Sequence, residues 1–233
     1  FRSLAEYRTL PFTIPADEKL LDKILETYDE LSRVIEKDIK NFAENKEYLD
    51  LKDKLDNYIF DMFNLDSEQR QIILDVNKYS INYFQDYSKS SKSKVIPVST
   101  TTPETEELRA YAQLFCNTIN KHLRKHNYKL VSDIYIGDSP IEIIAFTLVP
   151  LNTDVDEISI CDDTKTHTDL RIKLDQMVLK QTNESLYTQS NLRVYEGKTF
   201  YLVKPSEIRY WTKTMALNDS DKSLKEILKG FSG

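Results

Sequence analysis

The spacing of hydrophobic residues changes at Tyr128, and this change limits the folds that the chain can adopt. Before Tyr128, apolar residues recur every three or four positions, which is typical of amphipathic helices. From Tyr128 onward they alternate with polar residues or form short continuous runs, which is typical of strands. The sequence therefore predicts an α+β protein, with a helical N-terminal half followed by a small, mostly antiparallel sheet with flanking helices.

Three helices are predicted between residues 16 and 87. Their apolar faces comprise Leu20, Ile24, Tyr28, Leu31, Ile35, Ile39 and Phe42 in the first, Tyr48, Leu51, Leu55, Tyr58 and Met62 in the second, and Ile72, Val76, Tyr79 and Tyr83 in the third. We expect the first two helices to form an antiparallel pair. Asn64 ends the second helix, and Asp66 is placed to cap the third, because an aspartate side chain accepts hydrogen bonds from free backbone amides.

The stretch SKSSKS at residues 88–93 has the small and polar composition of a linker. We therefore divide the chain into a helical region, 1–87, and an α+β region, 88–233. The elements predicted for the second region are, in order, a short edge strand at 95–98, a helix that begins with Thr102 as cap and Pro103 as its first residue, strands at 128–137 and 141–150, a helix at 170–181, a hairpin at 191–205 and a C-terminal helix with a break near Asn218.

The composition excludes several classes of function. A net charge of −6 gives no overall positive field, so any contact with nucleic acid needs a local basic patch. The four glycines do not cluster, which excludes a phosphate-binding loop or a dinucleotide fingerprint. No apolar run approaches the roughly 20 residues of a membrane helix, so we expect no membrane partner. The two widely spaced cysteines, Cys116 and Cys161, indicate a reduced, cytoplasmic protein.

The titratable residues do not form a recognisable catalytic or metal-binding motif. His122 and His126 have the spacing of helical metal ligands, but their basic neighbours repel a cation, which favours two surface histidines. The acidic stretch 154–163 lacks the glycine and terminal glutamate of a calcium loop, which favours a solvated loop. Asp138 and Glu142 lack the lysine that completes a metal-dependent nuclease site. We therefore predict neither catalytic residues nor a metal.

Basic and aromatic residues cluster between the last predicted strand and the last predicted helix. Lysine and arginine bind phosphates, whereas aromatic rings stack on bases or pack in a core. The nucleic-acid-binding residues that we predict from this cluster are Lys204, Arg209, Trp211 and Lys213. The alternative is that Tyr210 and Trp211 belong partly to the core while Arg209 pairs with a nearby carboxylate.

Three lysines in and beside the linker extend this prediction. Lys89, Lys92 and Lys94 are separated by serines, and such flexible cations bind a phosphate backbone without reading its sequence. We therefore include them among the predicted nucleic-acid-binding residues. A solvated linker without any partner is the alternative.

The stretch LDNYIFDMFNLDSEQRQII, residues 55–73, resembles a signature near the C-terminal end of adenine-N6 DNA methyltransferases of restriction-modification systems. The positions that carry this resemblance are Leu55, Asp56, Ile59, Phe60, Met62, Phe63, Asn64, Leu65, Glu68 and Ile72. A second stretch, FYLVKPSEIRYWTKTMALNDSD at residues 200–221, is similar to the C-terminal ends of large restriction or phage-defence proteins.

The resemblance implies a non-catalytic role. The family's glycine-containing loop for S-adenosylmethionine and its Asn/Asp-Pro-Pro-Tyr/Phe motif, which holds a flipped adenine, do not occur in this sequence. Because the chain begins at Phe1 rather than at a methionine, we interpret it as the C-terminal part of a longer methyltransferase. The parent protein would use S-adenosylmethionine, whereas this part would hold no cofactor.

Two functions follow from these expectations. In the first, the chain assists target recognition on double-stranded DNA, with other restriction-modification subunits as further partners. In the second, it is a protein-interaction module for subunit assembly in a phage-defence complex. The long first helix would then dock a partner subunit or a second copy.

Overall fold

The computed structural model describes residues 17–37, 42, 45–81, 100–182 and 191–229 of the 233-residue chain. The chain divides into two compact units, Phe1–Arg70 and Gln71–Gly233. The boundary predicted at residues 87/88 lies outside the described residues, as do the predicted linker and the predicted strand at 95–98.

The first unit contains a pair of helices, α1 (Glu18–Lys37) and α2 (Lys46–Met62). The Lys23 ammonium, near the start of α1, lies 5.8 Å from the ring centroid of Tyr58, near the end of α2. This contact between opposite ends means that the helices run antiparallel, as the sequence predicts. Asn45 is the N-cap of α2, because its side-chain oxygen accepts a hydrogen bond of 2.8 Å from the backbone amide of Glu47.

Helix α3 (Ser67–Asp75) follows a sharp turn in which Asn64 has a φ of 52°. Asp66 caps the helix as predicted: its carboxylate accepts hydrogen bonds of 2.9 and 2.8 Å from the backbone amides of Glu68 and Gln69. The Gln69 side chain in turn accepts from the Asp66 amide, which completes a capping box. After Asp75 the helix widens into a π-helical turn, Val76–Ile81.

Helix α4 (Thr105–Leu123) begins three residues later than the predicted cap, Thr102. Glu104 is the N-cap residue of this helix. The Glu107 carboxylate accepts a hydrogen bond of 2.9 Å from the Glu104 backbone amide, which is part of a capping box. A short 3-10 turn, Arg124–His126, then leads the chain into the sheet.

Among the described residues of the second unit, five strands form one mixed sheet. The strands are β1 (Tyr128–Tyr135), β2 (Ile141–Pro150), β3 (Ile158–Cys161), β4 (Leu192–Glu196) and β5 (Thr199–Pro205). Their order is β3-β1-β2-β5-β4. The β1–β3 pair is parallel, and the β1–β2, β2–β5 and β4–β5 pairs are antiparallel. The structure thus confirms an α+β fold with a mostly antiparallel sheet.

Both faces of the sheet are covered. Along β2 and β5, alternate residues such as Phe146 and Leu202 join a core with α4 and with helix α6 (Lys213–Lys229). The residues between them, such as Ile143 and Val203, pack with helix α5 (Thr164–Thr182) on the opposite face. This two-sided burial explains the continuous apolar run of β2.

Three expectations for this unit need correction. Strand β3 is absent from the prediction, because four residues beside an acidic stretch give no strand period. Helix α5 begins at Thr164 rather than at residue 170, since the Asp163 side chain accepts from the amides of Lys165 and Thr166. Helix α6 continues through Asn218 without the predicted break.

Candidate functional site

The predicted basic-aromatic cluster lies on the connection from β5 to α6, where its members point in opposite directions. Lys204 is 0% exposed and Trp211 is 1% exposed, whereas Arg209 and Lys213 are exposed. In this structure neither Lys204 nor Trp211 reaches the surface, so neither side chain is placed to contact DNA as the sequence predicts. Lys89, Lys92 and Lys94 lie outside the described residues.

Strand alternation places Lys204 in the core. It follows Leu202 on the face that packs against α4 and α6. Its ammonium donates hydrogen bonds to the hydroxyl of Tyr111 at 3.0 Å, to the backbone carbonyl of Tyr210 at 2.9 Å and to the carboxylate of Asp219. All three N–H groups of the lysine thus have acceptors.

Asp219 is the centre of this buried polar cluster. One of its oxygens, Oδ2, accepts from Lys204 and from the Tyr111 hydroxyl at 2.8 Å. The other, Oδ1, accepts from the Asn191 amide at 3.2 Å and lies 3.4 Å from the Arg193 guanidinium. The carboxylate therefore joins α4, β4, β5 and α6 in one network.

Aromatic rings enclose the lysine. Its ammonium lies 4.6 Å from the ring centroid of Tyr111 and 5.0 Å from that of Trp211. These two rings meet edge to face at 5.1 Å, and the Trp211 indole donates to the Pro205 carbonyl at 2.9 Å. Cation–π attraction offsets part of the desolvation of the charge, because the rings turn their negative faces toward it.

The electrostatics of the pair follow from burial. Desolvation lowers the pKa of Lys204 to about 8, although the charge of Asp219 opposes this shift. Burial alone would raise the pKa of Asp219, but the charge and hydrogen bond of Lys204, with the Tyr111 and Asn191 hydrogen bonds, lower it. Burial and the Asp219 charge raise the pKa of Tyr111. The ammonium has no exposed surface, and its acceptors connect β5 with α4 and α6.

The outward-facing members of the predicted cluster have local partners. The Arg209 guanidinium lies 2.7 Å from the Glu207 carboxylate and 4.9 Å from the Tyr210 ring centroid. The alternative interpretation, in which Arg209 pairs with a nearby carboxylate and Trp211 belongs to the core, describes these contacts. Lys213 is the first residue of α6 and lines a surface groove of about 280 Å³.

Asp75 closes one side of this groove. Its carboxylate accepts a hydrogen bond of 2.7 Å from the Thr214 backbone amide and one of 2.6 Å from the Thr214 hydroxyl. The Gln71 side chain donates to the second carboxylate oxygen at 2.7 Å. Asp75 therefore caps α6 from a different helix, and both oxygens of its carboxylate accept hydrogen bonds.

The residues weighed for metal binding do not converge. His122 and His126 are both exposed. Glu157, from the acidic stretch, accepts a hydrogen bond of 2.9 Å from the Asn120 side chain, and Asp163 caps α5. In the part of the chain that the structure describes, no three His, Cys, Asp or Glu side chains lie together as metal ligands would.

Glu142 is buried, whereas Asp138, with which the sequence paired it, is exposed. The Ser206 hydroxyl donates a hydrogen bond of 2.6 Å to the Glu142 carboxylate. Burial raises the pKa of Glu142 to about 7, although this hydrogen bond opposes the shift. Lys204 is opposite Glu142 in the strand register, but its ammonium turns to Asp219, so the two do not form a catalytic pair.

His167 is a buried residue to which the sequence assigns no role. Its Nε2 has no hydrogen-bond partner among the described residues. Burial and the charge of Arg171 lower the pKa of the imidazole, and a hydrogen bond with the Ile141 backbone opposes this. The ring lies so close to Gly137 that a Cβ there would be 2.6 Å from His167 Cγ. In the sequence, a single glycine at position 137 is the one feature that could have indicated a close contact at this place.

None of the described helices has the length and apolar character needed to cross a membrane. Comparison with known proteins finds no family model, no curated protein and no solved structure that matches this chain.

Proposed function

We propose that the chain is a protein-interaction module that docks a helical segment of another subunit along the α1–α2 pair. The observation that carries this proposal is the incomplete burial of the pair. Thr27 and Val34 on α1 and Phe60 on α2 are its buried residues. The other apolar residues of these two helices are half-buried or exposed.

Two exposed apolar residues of α1 lie on one face. Leu25 is 52% exposed and Tyr28 is 57% exposed, and their three-residue spacing places them side by side. Two helices alone bury little apolar surface, and most helical stability in proteins comes from packing of the apolar face. An apolar helix of a partner that covers Leu25 and Tyr28 would supply this packing. The resemblance of residues 55–73 to restriction-modification methyltransferases favours a subunit of such a phage-defence complex.

Binding to double-stranded DNA, as part of a non-catalytic C-terminal region of an adenine-N6 methyltransferase, is the second candidate. The observation that favours it is the exposure of Arg209 and Lys213 near the start of α6. Because Glu207 already pairs with Arg209, we expect this contact to be weak and strongly salt-dependent. Simultaneous replacement of Arg209 and Lys213 by alanine should abolish binding of a short duplex at low salt.

Light scattering after size-exclusion chromatography, with co-purification of the subunits encoded beside this chain, tests the first proposal. The double variant Leu25→Lys, Tyr28→Glu should lose the partner, because both substitutions place a charge in the apolar contact. Glu30→Lys, on a different face of α1, is the matched control and should retain it. A wild-type chain that stays monomeric and retains none of these subunits would contradict the proposal.

A further inference from the structure

A surface pocket of about 230 Å³ lies beside the β4–β5 hairpin in the second unit. We call it the hairpin pocket. The turn at Gly197 borders it, and its lining includes side chains from β1, β2, β4, β5 and α6, among them Leu130, Leu148, Tyr195, Phe200, Glu226 and Ile227. None of these residues belongs to the α1–α2 pair, so a ligand of this pocket is independent of the docking proposed above.

The floor of the hairpin pocket is apolar. Leu130 is 1% exposed and Phe200 is 4% exposed, whereas Leu148 and Ile227 are half-buried and therefore border the opening. Apolar atoms make up most of the accessible lining. An apolar group of a ligand that covers this lining binds favourably, because apolar surface on both sides leaves water.

The volume of the pocket limits the size of the ligand. An apolar cavity of about 150 Å³ holds one benzene molecule. The hairpin pocket, at about 230 Å³, therefore has room for one aromatic ring with a short substituent. Its side at Gly197 is open, because no described atom beyond the chain neighbours lies within 4 Å of the place that a β-carbon would take there.

Two aromatic rings form one wall of the pocket. The ring centroids of Tyr195 and Phe200 are 5.7 Å apart, and Tyr195 is 49% exposed, so a ligand can reach its ring. Aromatic rings pair with other rings in offset or edge-to-face geometry, and their negative faces attract cations. An aromatic ligand with a positive charge therefore fits this wall better than an aliphatic ligand of equal volume.

The rim of the pocket carries a carboxylate. The Tyr195 hydroxyl donates a hydrogen bond to Glu226 Oε2, which holds this carboxylate beside the aromatic wall. Burial and this hydrogen bond raise the pKa of Tyr195 to about 12, so the hydroxyl remains a donor at neutral pH. Among the described residues, Glu226 forms no ion pair. Its carboxylate can therefore pair with a cationic group of a ligand.

The other charged residue of the rim is Lys198. Its ammonium lies 5.9 Å from the ring centroid of Tyr128, which does not line the pocket. Glu226 rather than Lys198 therefore sets the charge of the ligand. These exposed charges also make the pocket a poor centre for a protein interface, because such interfaces bury about 800 Å² per partner around a core depleted of charged residues.

We propose that the hairpin pocket binds a small molecule that consists of one aromatic ring and a primary amine on a short substituent. The ring lies on Leu130 and Phe200, against the ring of Tyr195. The ammonium pairs with Glu226 in a charge-assisted hydrogen bond.

An amide-resolved NMR titration of the full chain with benzylamine tests the proposal. We expect a saturable shift of the Gly197 amide signal, with a dissociation constant of about 1 mM or lower. Benzyl alcohol has nearly the same shape and no charge, so it should bind about tenfold more weakly. Equal binding of the two molecules, or no saturation by about 10 mM benzylamine, would overturn the proposal.

Glu226→Gln keeps the shape of the side chain and an acceptor for the Tyr195 hydroxyl but removes the charge. It should weaken benzylamine binding by about tenfold and leave benzyl alcohol binding unchanged, which also shows that the pocket is intact. Asp221→Asn is the matched control, because it neutralises an exposed carboxylate of the same helix that does not line the pocket. Equal weakening of benzylamine binding by both variants would overturn the pairing with Glu226.

Tyr195→Ala tests the aromatic wall. It should weaken the binding of both molecules by about fivefold or more, because the ring that packs against them is removed. Binding equal to that of the wild type would exclude the wall. A protein contact gives a different result: the wild type would bind neither molecule, and Tyr195→Ala would lose a subunit that co-purifies with the wild type. That outcome would overturn the small-molecule assignment.

Discussion

The ammonium of Lys204 and the carboxylate of Asp219 form an ion pair that is completely buried between β5 and α6. A buried pair of this kind adds little net stability compared with apolar residues of similar size, because both charges lose their hydration. Removal of only one of the two residues is much more costly, since the remaining charge stays buried without a partner. The pair therefore makes the packing of α4 and α6 on the sheet specific.

Asp219→Ala should destabilise the protein by about 3–5 kcal/mol, because it leaves Lys204 buried without a counter-charge. The double variant Lys204→Met, Asp219→Leu should recover much of this loss, since the fully buried ammonium is then removed together with its carboxylate. Chemical denaturation gives the free energies of unfolding. Glu207→Ala, which breaks the exposed pair with Arg209, is the control and should cost less than about 1 kcal/mol. Equal losses from Asp219→Ala and Glu207→Ala would contradict this account of the pair.

Local sequence patterns predicted elements better than they predicted partners. The antiparallel α1–α2 pair, the Asp66 cap and the alternation along β5 depend on residues close together in sequence, and the structure contains all three. The same alternation could have placed the Lys204 side chain in the core. The sequence analysis instead interprets Lys204 as an exposed residue that contacts nucleic acid. Its partner Asp219 lies in the following helix, and no local period indicates that the two meet.

The missed elements have the same physical origin. Strand β3 has four residues, and its place in the sheet depends on the parallel pairing of Ser132 with Ile158, far along the chain. The cap of α6 comes from Asp75, 139 residues before Thr214. Neither contact leaves a signal in a local window, because the residues that meet are far apart in sequence.

Asp75→Ala should destabilise the second unit by about 0.5–2 kcal/mol, the usual cost of losing an N-cap. The variant leaves the Thr214 amide and hydroxyl without their acceptor. Asp75→Asn should cost less, because the amide oxygen still accepts a hydrogen bond. Thermal unfolding followed by circular dichroism measures both, and an Asp75→Ala midpoint equal to that of the wild type would exclude the capping role.

Because the pKa of Glu142 is raised in the folded protein, we expect the free energy of unfolding to decrease as the pH rises toward 7. Its pKa is about 7 in the folded protein and 4.5 ordinarily, so the folded state binds the proton more tightly. This contribution is fully present below pH 4.5 and is lost as the pH rises through 7. The difference between the two values corresponds to about 3 kcal/mol.

Glu142→Gln tests this linkage, because glutamine resembles the protonated acid and still accepts from Ser206. The gain in stability from the substitution should grow by about 3 kcal/mol between pH 4.5 and pH 8. Free energies of unfolding at both pH values give this difference. Glu106→Gln replaces an exposed carboxylate and is the control. A gain that does not change with pH would show that folding does not raise the pKa of Glu142.

Gly137→Ala should destabilise the second unit strongly, because the new methyl group would lie 2.6 Å from His167 Cγ. The buried imidazole cannot move aside freely, and overpacking of this kind costs about 1–3 kcal/mol. Combining the substitution with His167→Ala should restore part of the loss, since the smaller side chain makes room for the methyl group.

Gly197 provides the comparison for this effect. Its φ is 61° and no described atom lies within 4 Å of the place that a methyl group would take, so Gly197→Ala acts only through the strained backbone. Gly197→Asn should be tolerated better than Gly197→Ala, because asparagine adopts left-handed conformations readily. No such difference is expected at Gly137, where the larger asparagine meets His167 as well. Chemical denaturation of the variants at both positions separates crowding at Gly137 from backbone strain at Gly197.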